Sequence, residues 1–250
     1  MPEPAPFVAG EIPLFRINPS LDRRALAERF AERRRVQVRD VLTPETAATV
    51  RRVLERETPW GLAVQAGPEP QSLSPEELRA LSPERRSGLL KGIAARLAAG
   101  DYGFVYQRYP MVTAYRERWD PDGPLALLLE HINDAPMLEL VREVTGMPDL
   151  VKADAQATLF APGQFLGLHD DGHVERGWRV AYVLNFADRW HPDWGGYLNF
   201  FDAEGDIVEG LAPRFNALNL FAVPQRHHVS FVPQWSPATR LAITGWFQVD

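Results

Sequence analysis

The run Phe165-Leu-Gly-Leu-His169-Asp170-Asp171-Gly172 sets an imidazole and a carboxylate two residues apart. If the run is extended, as its apolar content just upstream implies, residues i and i+2 share a face and His169 and Asp171 converge on one point. An imidazole plus one carboxylate is two thirds of the 2-His-1-carboxylate facial triad, which holds Fe(II) and leaves three coordination positions open for oxygen and a co-substrate. Taken alone, His-Asp-Asp-Gly fits a polar turn equally well, because Asp and Gly are common turn residues. The missing imidazole must come from a later strand that returns beside the first. His191 sits in Asp188-Arg-Trp-His-Pro-Asp-Trp194, where the following proline suits a turn. His227 and His228 remain, and alternation in His227-His-Val-Ser-Phe-Val232 sends them to opposite faces. Periodicity does not choose between them, since a one-residue slip exchanges the faces. Arg240 then opens a strongly apolar last strand, Leu241-Ala-Ile-Thr-Gly-Trp246-Phe. Its guanidinium marks either the point where that strand emerges into solvent or a bidentate clamp for a carboxylate.

The elements that must position these groups fall into two textures. A Pro-rich arm over 1–19 is followed, over 20–149, by a mainly helical support with a few strands, read as part of the same domain. Ser20 is the expected cap of a first helix, Thr43-Pro44 the start of a second, and Ser74-Pro75 and Ser82-Pro83 the starts of two more. Strands are expected at 36–41, 60–65 and 102–109, and helices at 125–132 and 137–144, with Gly146 and Pro148 as a stop signal. From residue 150 to 250 the pattern changes to short β-rich segments at 150–160, 164–169, 179–186, 197–201, 206–209, 215–223, 228–232 and 240–249. Close spacing of so many strands indicates a barrel or a double-sheet jelly roll, with the helices packed on an outer face: an α+β fold.

Composition narrows the chemistry. The 250 residues include no cysteine, which excludes disulfides, thiolate metal sites and a cysteine nucleophile, and leaves histidines and carboxylates as metal ligands. A net charge of −6 argues against general nucleic-acid binding, which depends on neutralising phosphates with Lys and Arg. The N-terminus lacks the basic start and apolar core of a signal peptide, and no apolar run approaches the ~18 residues of a membrane span. A cytoplasmic protein without membrane contact is the expectation.

Several pieces in one order now resemble the Fe(II)/2-oxoglutarate-dependent oxygenases, in particular their prolyl-hydroxylase-like branch. They are the Phe160-x-x-Gly-Gln-Phe-Leu lead-in, His169-x-Asp171, the strand ending Val-Leu-Asn185, Trp194-Gly-Gly-Tyr-Leu198, Pro213-x-Phe-Asn, His227-x-Val-x-x-Val, and Arg240-Leu-Ala-Ile-Thr-Gly-Trp246-Phe. The resemblance implies that the β region is a double-stranded β-helix forming the catalytic core and that the distal ligand is His227, two residues before the Val. It further implies that His169, Asp171 and His227 bind Fe(II), that Arg240 pairs with the distal carboxylate of 2-oxoglutarate, and that Thr244, Trp246 and Leu198 lie beside that co-substrate. Oxygen is then the second co-substrate, and ascorbate a further cofactor. The reaction implied is hydroxylation of a C–H bond with decarboxylation of 2-oxoglutarate to succinate. The carboxylate ligand Asp171 favours hydroxylation over halogenation, because halogenases of this fold typically leave that position to chloride.

This sequence departs from the resemblance at two positions. Tyrosines that donate to 2-oxoglutarate in many relatives correspond here to Phe160 and Val183, with Tyr182 adjacent but on the wrong face, and Gln156, Thr158 and Asn219 are the candidate substitutes. Trp178, Trp190, Trp194 and Trp246 stand near the motifs and suit a dry cavity, although strand aromatics more often serve as core than as substrate wall, and the loop 188–195 and the acidic stretch 170–175 are expected to border the cavity. A protein, peptide or amino-acid substrate follows, with a basic or proline-bearing polypeptide preferred. The competing classes are a zinc hydrolase, since two His and a carboxylate also hold Zn²⁺, a ligand-binding jelly roll, and a catalytically weak relative. Consumption of 2-oxoglutarate separates them.

Overall fold

The computed structural model describes residues 15–172 and 177–249. The expected arm therefore lies outside the described residues except for 15–19, as does most of the acidic stretch beyond Gly172. Helix α1 (Arg23–Arg33) is capped by Asp22, whose carboxylate accepts the Ala25 N–H. Ser20, expected as the cap, instead donates its own N–H to the Asn18 side chain. Strand β1 (Arg35–Arg39), helix α2 (Pro44–Arg56) and strand β2 (Gly61–Val64) follow. Strand β3 (Gln71–Leu73) is a short edge partner of β2 that carries no periodic signal. Ser74 and Ser82 cap α3 (Pro75–Arg79) and α4 (Pro83–Ala98), each accepting a backbone N–H three residues on. Then come β4 (Phe104–Tyr109), the short α5 (Met111–Arg116), α6 (Pro124–Asn133) and α7 (Ala135–Thr145). Gly146, in the left-handed region at φ 68, ends α7.

The second half is strand-rich: β5 (Lys152–Ala153), β6 (Gln156–Phe160), β7 (Phe165–His169), β8 (Trp178–Asn185), β9 (Leu198–Phe201), β10 (Ile207–Leu211), β11 (Ala217–Ala222), β12 (His227–Val229) and β13 (Arg240–Gln248). The single strand expected over 150–160 is broken at 154–155, so β5 and β6 both pair with β13 but leave Asp154 between them. Antiparallel pairing runs in the order β1-β11-β8-β13-β6-β4-β7-β12-β9-β10 and curls into a nearly closed jelly-roll barrel. Side chains bridge the seam between its ends: Arg35 pairs with Glu209, and Gln37 Nε2 donates to the Ala212 carbonyl at 3.0 Å. Strand β4, from the helical half, is inserted between β6 and β7 and becomes part of the barrel wall.

Alternation sorts the wall into two faces. Val180, Tyr182, Leu184, Leu241, Ile243 and Phe247 point outward and are buried with Val50, Leu54, Leu128 and Val141 of the helices. Each fully buried aliphatic chain of this kind contributes roughly 1.5–3 kcal/mol, which fastens the helical layer to the barrel. Their neighbours Ala181, Val183, Phe221 and Ala242 face the barrel interior with Trp246. No helix among the described residues is long and apolar enough to cross a membrane.

Candidate active site

Strand β7 ends at His169, and β12 runs antiparallel to it with His227 opposite His169. Asp171 lies beyond the strand, in the left-handed region at φ 58, a conformation that Asp tolerates better than most residues. The carboxylate and the imidazole therefore meet through a tight turn, not through the i,i+2 alternation of an extended segment. Asp170 builds that turn: its carboxylate accepts the Gly172 N–H, and its carbonyl accepts the Gln225 N–H at 3.1 Å, tying the turn to the approach to β12.

His169 Nε2 lies 3.4 Å from Asp171 Oδ1, and His227 Nε2 lies 3.4 Å from Asp171 Oδ2. One ligand atom from each of the three residues lies within 4.8 Å of the other two. The tautomers follow from the partners on the far side of each ring. His169 Nδ1 stands 2.9 Å from the Gly167 carbonyl and His227 Nδ1 2.7 Å from the Gln225 carbonyl. A carbonyl only accepts, so each Nδ1 carries a hydrogen and Nε2 is the ring atom left for a metal, on the side of Asp171. Burial, reinforced by His169, pushes His227 down to about 4, so it is neutral at pH 7. Burial works to raise the Asp171 carboxyl, but the two imidazoles beside it hold it below the ordinary carboxylate range. Burial works to lower the His169 imidazole, but the Asp171 carboxylate beside it holds it above its ordinary value. With the His169 proton displaced by a cation, two imidazole nitrogens and one carboxylate oxygen on a common centre are a donor set for a divalent first-row metal.

His228 faces the other way: its Nε2 accepts from Asn199 Nδ2 at 3.0 Å and its ring meets Phe201 edge-on. His228→Ala is expected to lose about 1 kcal/mol of stability, one hydrogen bond's worth, with metal content unchanged in elemental analysis.

Arg240 is only 1% exposed, and among the described residues no carboxylate pairs with it. Its Nε has no hydrogen-bond partner among the described residues, and its guanidinium lies 5.2 Å from the centre of the Phe160 ring. Burial pushes its pKa down to about 10, so it stays cationic at neutral pH. A buried cation without a counter-charge is costly, and its presence in a cavity calls for an anion. The cavity, of about 430 Å³, reaches from Arg240 to His169, Asp171 and His227 and is lined also by Leu198, Thr244 and Trp246.

The walls differ from expectation in three ways. Gln156 and Thr158 line the cavity, but Asn219 does not, because its Oδ1 accepts from Gln37 Nε2. Trp178 and Trp246 stack at 4.0 Å in the cavity wall, whereas Trp190, Trp194 and the loop 188–195 contribute nothing to its lining. That loop lies behind Gly196, at φ 65: a Cβ there would meet Trp190 at 2.9 Å and the Arg240 side chain at 3.6 Å. It therefore backs the Arg240 end of the barrel. Finally, β4 brings in Tyr106, stacked on Phe160 at 5.1 Å. Burial raises its pKa against the lowering influence of Arg108 and Gln156, so it remains a protonated donor. A phenol thus enters the cavity from a strand outside the recognised motifs, although the alternation of Phe104 and Tyr106 in an aromatic strand was the available signal. Tyr102 stands near the triad, its ring 5.7 Å from that of His169.

Residues 155–248 match the sequence profile of the 2OG-Fe(II) oxygenase superfamily. Over 86 residues the chain is 37% identical to prolyl 3-hydroxylase OGFOD1 of Mus musculus, a match covering 32% of this chain and 15% of that protein. The fold is similar to that of a Pseudomonas putida prolyl-4-hydroxylase, with a TM-score of 0.56 and 18% identity, covering 91% of this chain and 99% of that one. It is equally similar to an oxidoreductase of the 2OG-Fe(II) oxygenase family from Burkholderia pseudomallei, with a TM-score of 0.58 and 12% identity over 94% and 93% of the two chains. These structures share the jelly-roll fold, and the segment that builds the site carries the sequence signature of the superfamily.

Proposed function

We propose that this protein is an Fe(II)- and 2-oxoglutarate-dependent dioxygenase that hydroxylates a C–H bond, with a prolyl residue of a protein or peptide as its target. The observation that carries the reading is the pairing, in one cavity, of a three-atom metal donor set with a buried arginine that no carboxylate among the described residues pairs with. Arg240, set in the same cavity as the donor triad, favours an oxygenase that binds a dicarboxylic keto acid over a zinc hydrolase or a ligand-binding jelly roll. His169, Asp171 and His227 hold the metal, and Arg240 receives the distal carboxylate of 2-oxoglutarate through its fork of N–H donors. Leu198, Thr244 and Trp246 line the space between. Iron bound there supplies open positions for oxygen and the keto acid, and with them the oxidising power for the reaction. The chemistry balances as substrate C–H plus oxygen plus 2-oxoglutarate giving substrate C–OH, succinate and carbon dioxide.

The protein's own residues orient and exclude water. The Nδ1–H bonds to Gly167 and Gln225 fix both imidazole planes before metal arrives. Trp178 and Trp246 close one side with apolar surface. Tyr106, with Gln156, replaces the phenolic donors absent at Phe160 and Val183, whereas the Thr158 hydroxyl donates to the Ala242 carbonyl. Tyr106→Phe is accordingly expected to weaken 2-oxoglutarate by several-fold, about 1 kcal/mol, in an equilibrium titration, with iron content unaltered. A cytoplasmic setting and ascorbate as the reductant belong to the same proposal; the cysteine-free composition accords with the former. The test is mass spectrometry of cell extract treated with protein, Fe(II) and 2-oxoglutarate. Iron-dependent succinate together with +16 Da prolyl peptides is expected, and succinate-free samples would refute the assignment.

A further inference from the structure

Beside the catalytic cavity a second groove, of about 310 Å³, shares Gln156, Thr244 and Trp246 with it as a common wall. The break between β5 and β6 sets Asp154 into this groove, half-buried. Its Oδ1 accepts the Trp246 N–H at 2.7 Å, and no Lys, Arg or His among the described residues pairs with it. The carboxylate is pressed onto the β13 backbone, since a Cβ at Gly245 would lie 2.6 Å from Oδ1. A neutral amide would accept the Trp246 N–H equally well, so the backbone bond does not account for a charge here. Burial, with Asp171 adding to it, pushes the Asp154 carboxyl up to about 6, the position of an anion lacking a counter-ion. Arg116 also lines the groove but is exposed and makes no ion pair among the described residues. Solvent screens it, and Asp154 sets the preference of the inner end.

We propose that this groove binds an extended polypeptide segment bearing a lysine or arginine, whose cation pairs with Asp154 while a nearby residue enters the catalytic cavity. Asp154 is two positions before Gln156 of the shared wall, and strand and extended substrate both advance roughly 3.3 Å per residue. The basic residue therefore stands at a fixed offset a few positions from the oxidised one. The proposal rests on the oxygenase reading and adds the substrate class to it.

The test uses a synthetic peptide library, each member with one central proline and randomised flanks, incubated in air with Fe(II), 2-oxoglutarate and either wild type or Asp154→Asn. The variant keeps the acceptor for Trp246 and loses only the charge. Among hydroxylated peptides from wild type, Lys or Arg is expected to be enriched at one offset by at least roughly tenfold, as a charge-assisted hydrogen bond gives. In Asp154→Asn that enrichment falls to background, while peptide-free conversion of 2-oxoglutarate to succinate is unchanged. Basic residues at background in wild type, enrichment that persists in the variant, or succinate formed without any hydroxylated peptide would each overturn the inference and leave the oxygenase reading standing. No succinate in any sample would overturn both.

Discussion

Asp171→Ala is expected to abolish iron binding and turnover together while leaving the fold intact. Asp171 is the anionic member of the donor set, and its two oxygens lie 3.4 Å from the two imidazole Nε2 atoms. Loss of a mere supporting partner of a ligand costs about 10–100-fold in metal affinity, and loss of the charged ligand itself must exceed that. The variant also removes the group that the two imidazoles stabilise, so no buried anion is left behind. His169→Ala and His227→Ala belong to the same class. The measurement is bound iron per chain after desalting, with circular dichroism as the control for folding. Stoichiometric iron in a folded Asp171→Ala protein would remove the triad from the account.

Arg240→Ala is expected to weaken 2-oxoglutarate by roughly 30-fold or more and to leave iron content unchanged. Truncating one member of a buried, hydrogen-bonded charge pair costs about 2–5 kcal/mol, and the guanidinium here is 1% exposed with no protein counter-charge among the described residues. The free protein is affected far less: relief of an uncompensated buried cation offsets the cavity left by the side chain, so thermal stability changes little. Arg240→Lys keeps the charge, loses the planar fork and falls between the two. Titration of 2-oxoglutarate into the iron-loaded, oxygen-free variants measures this directly. Unchanged affinity in Arg240→Ala would make the residue a structural cation only.

What the sequence made legible was chemistry held in local motifs on strands that pair with one another. His169, Asp171, His227 and Arg240 lie within 72 positions of each other in the chain, and the jelly-roll order brings them to one cavity. The route to that convergence was less legible, since the turn at Asp171 depends on a left-handed residue and an Asp170 bond to Gln225 that spacing does not encode. Tyr106 was missed because its strand is inserted between β6 and β7 from some fifty residues upstream, a pairing that alternation cannot announce. Asp154 was hidden for a related reason: an apolar-flanked run reads as one strand, and only the β13 partner shows where it breaks. The tryptophans near 190 share sequence proximity with the site but sit behind Gly196, where the barrel wall separates them from the cavity.

The most direct test of the central claim is made on the unmodified protein under anaerobic conditions. Fe(II) is added, then 2-oxoglutarate, while the visible spectrum is followed, and oxygen is admitted last. The account predicts a metal-to-ligand charge-transfer band that saturates at one keto acid per chain, decays on exposure to oxygen and leaves succinate. Iron and 2-oxoglutarate that bind independently, with no band and no succinate after oxygen, would contradict it.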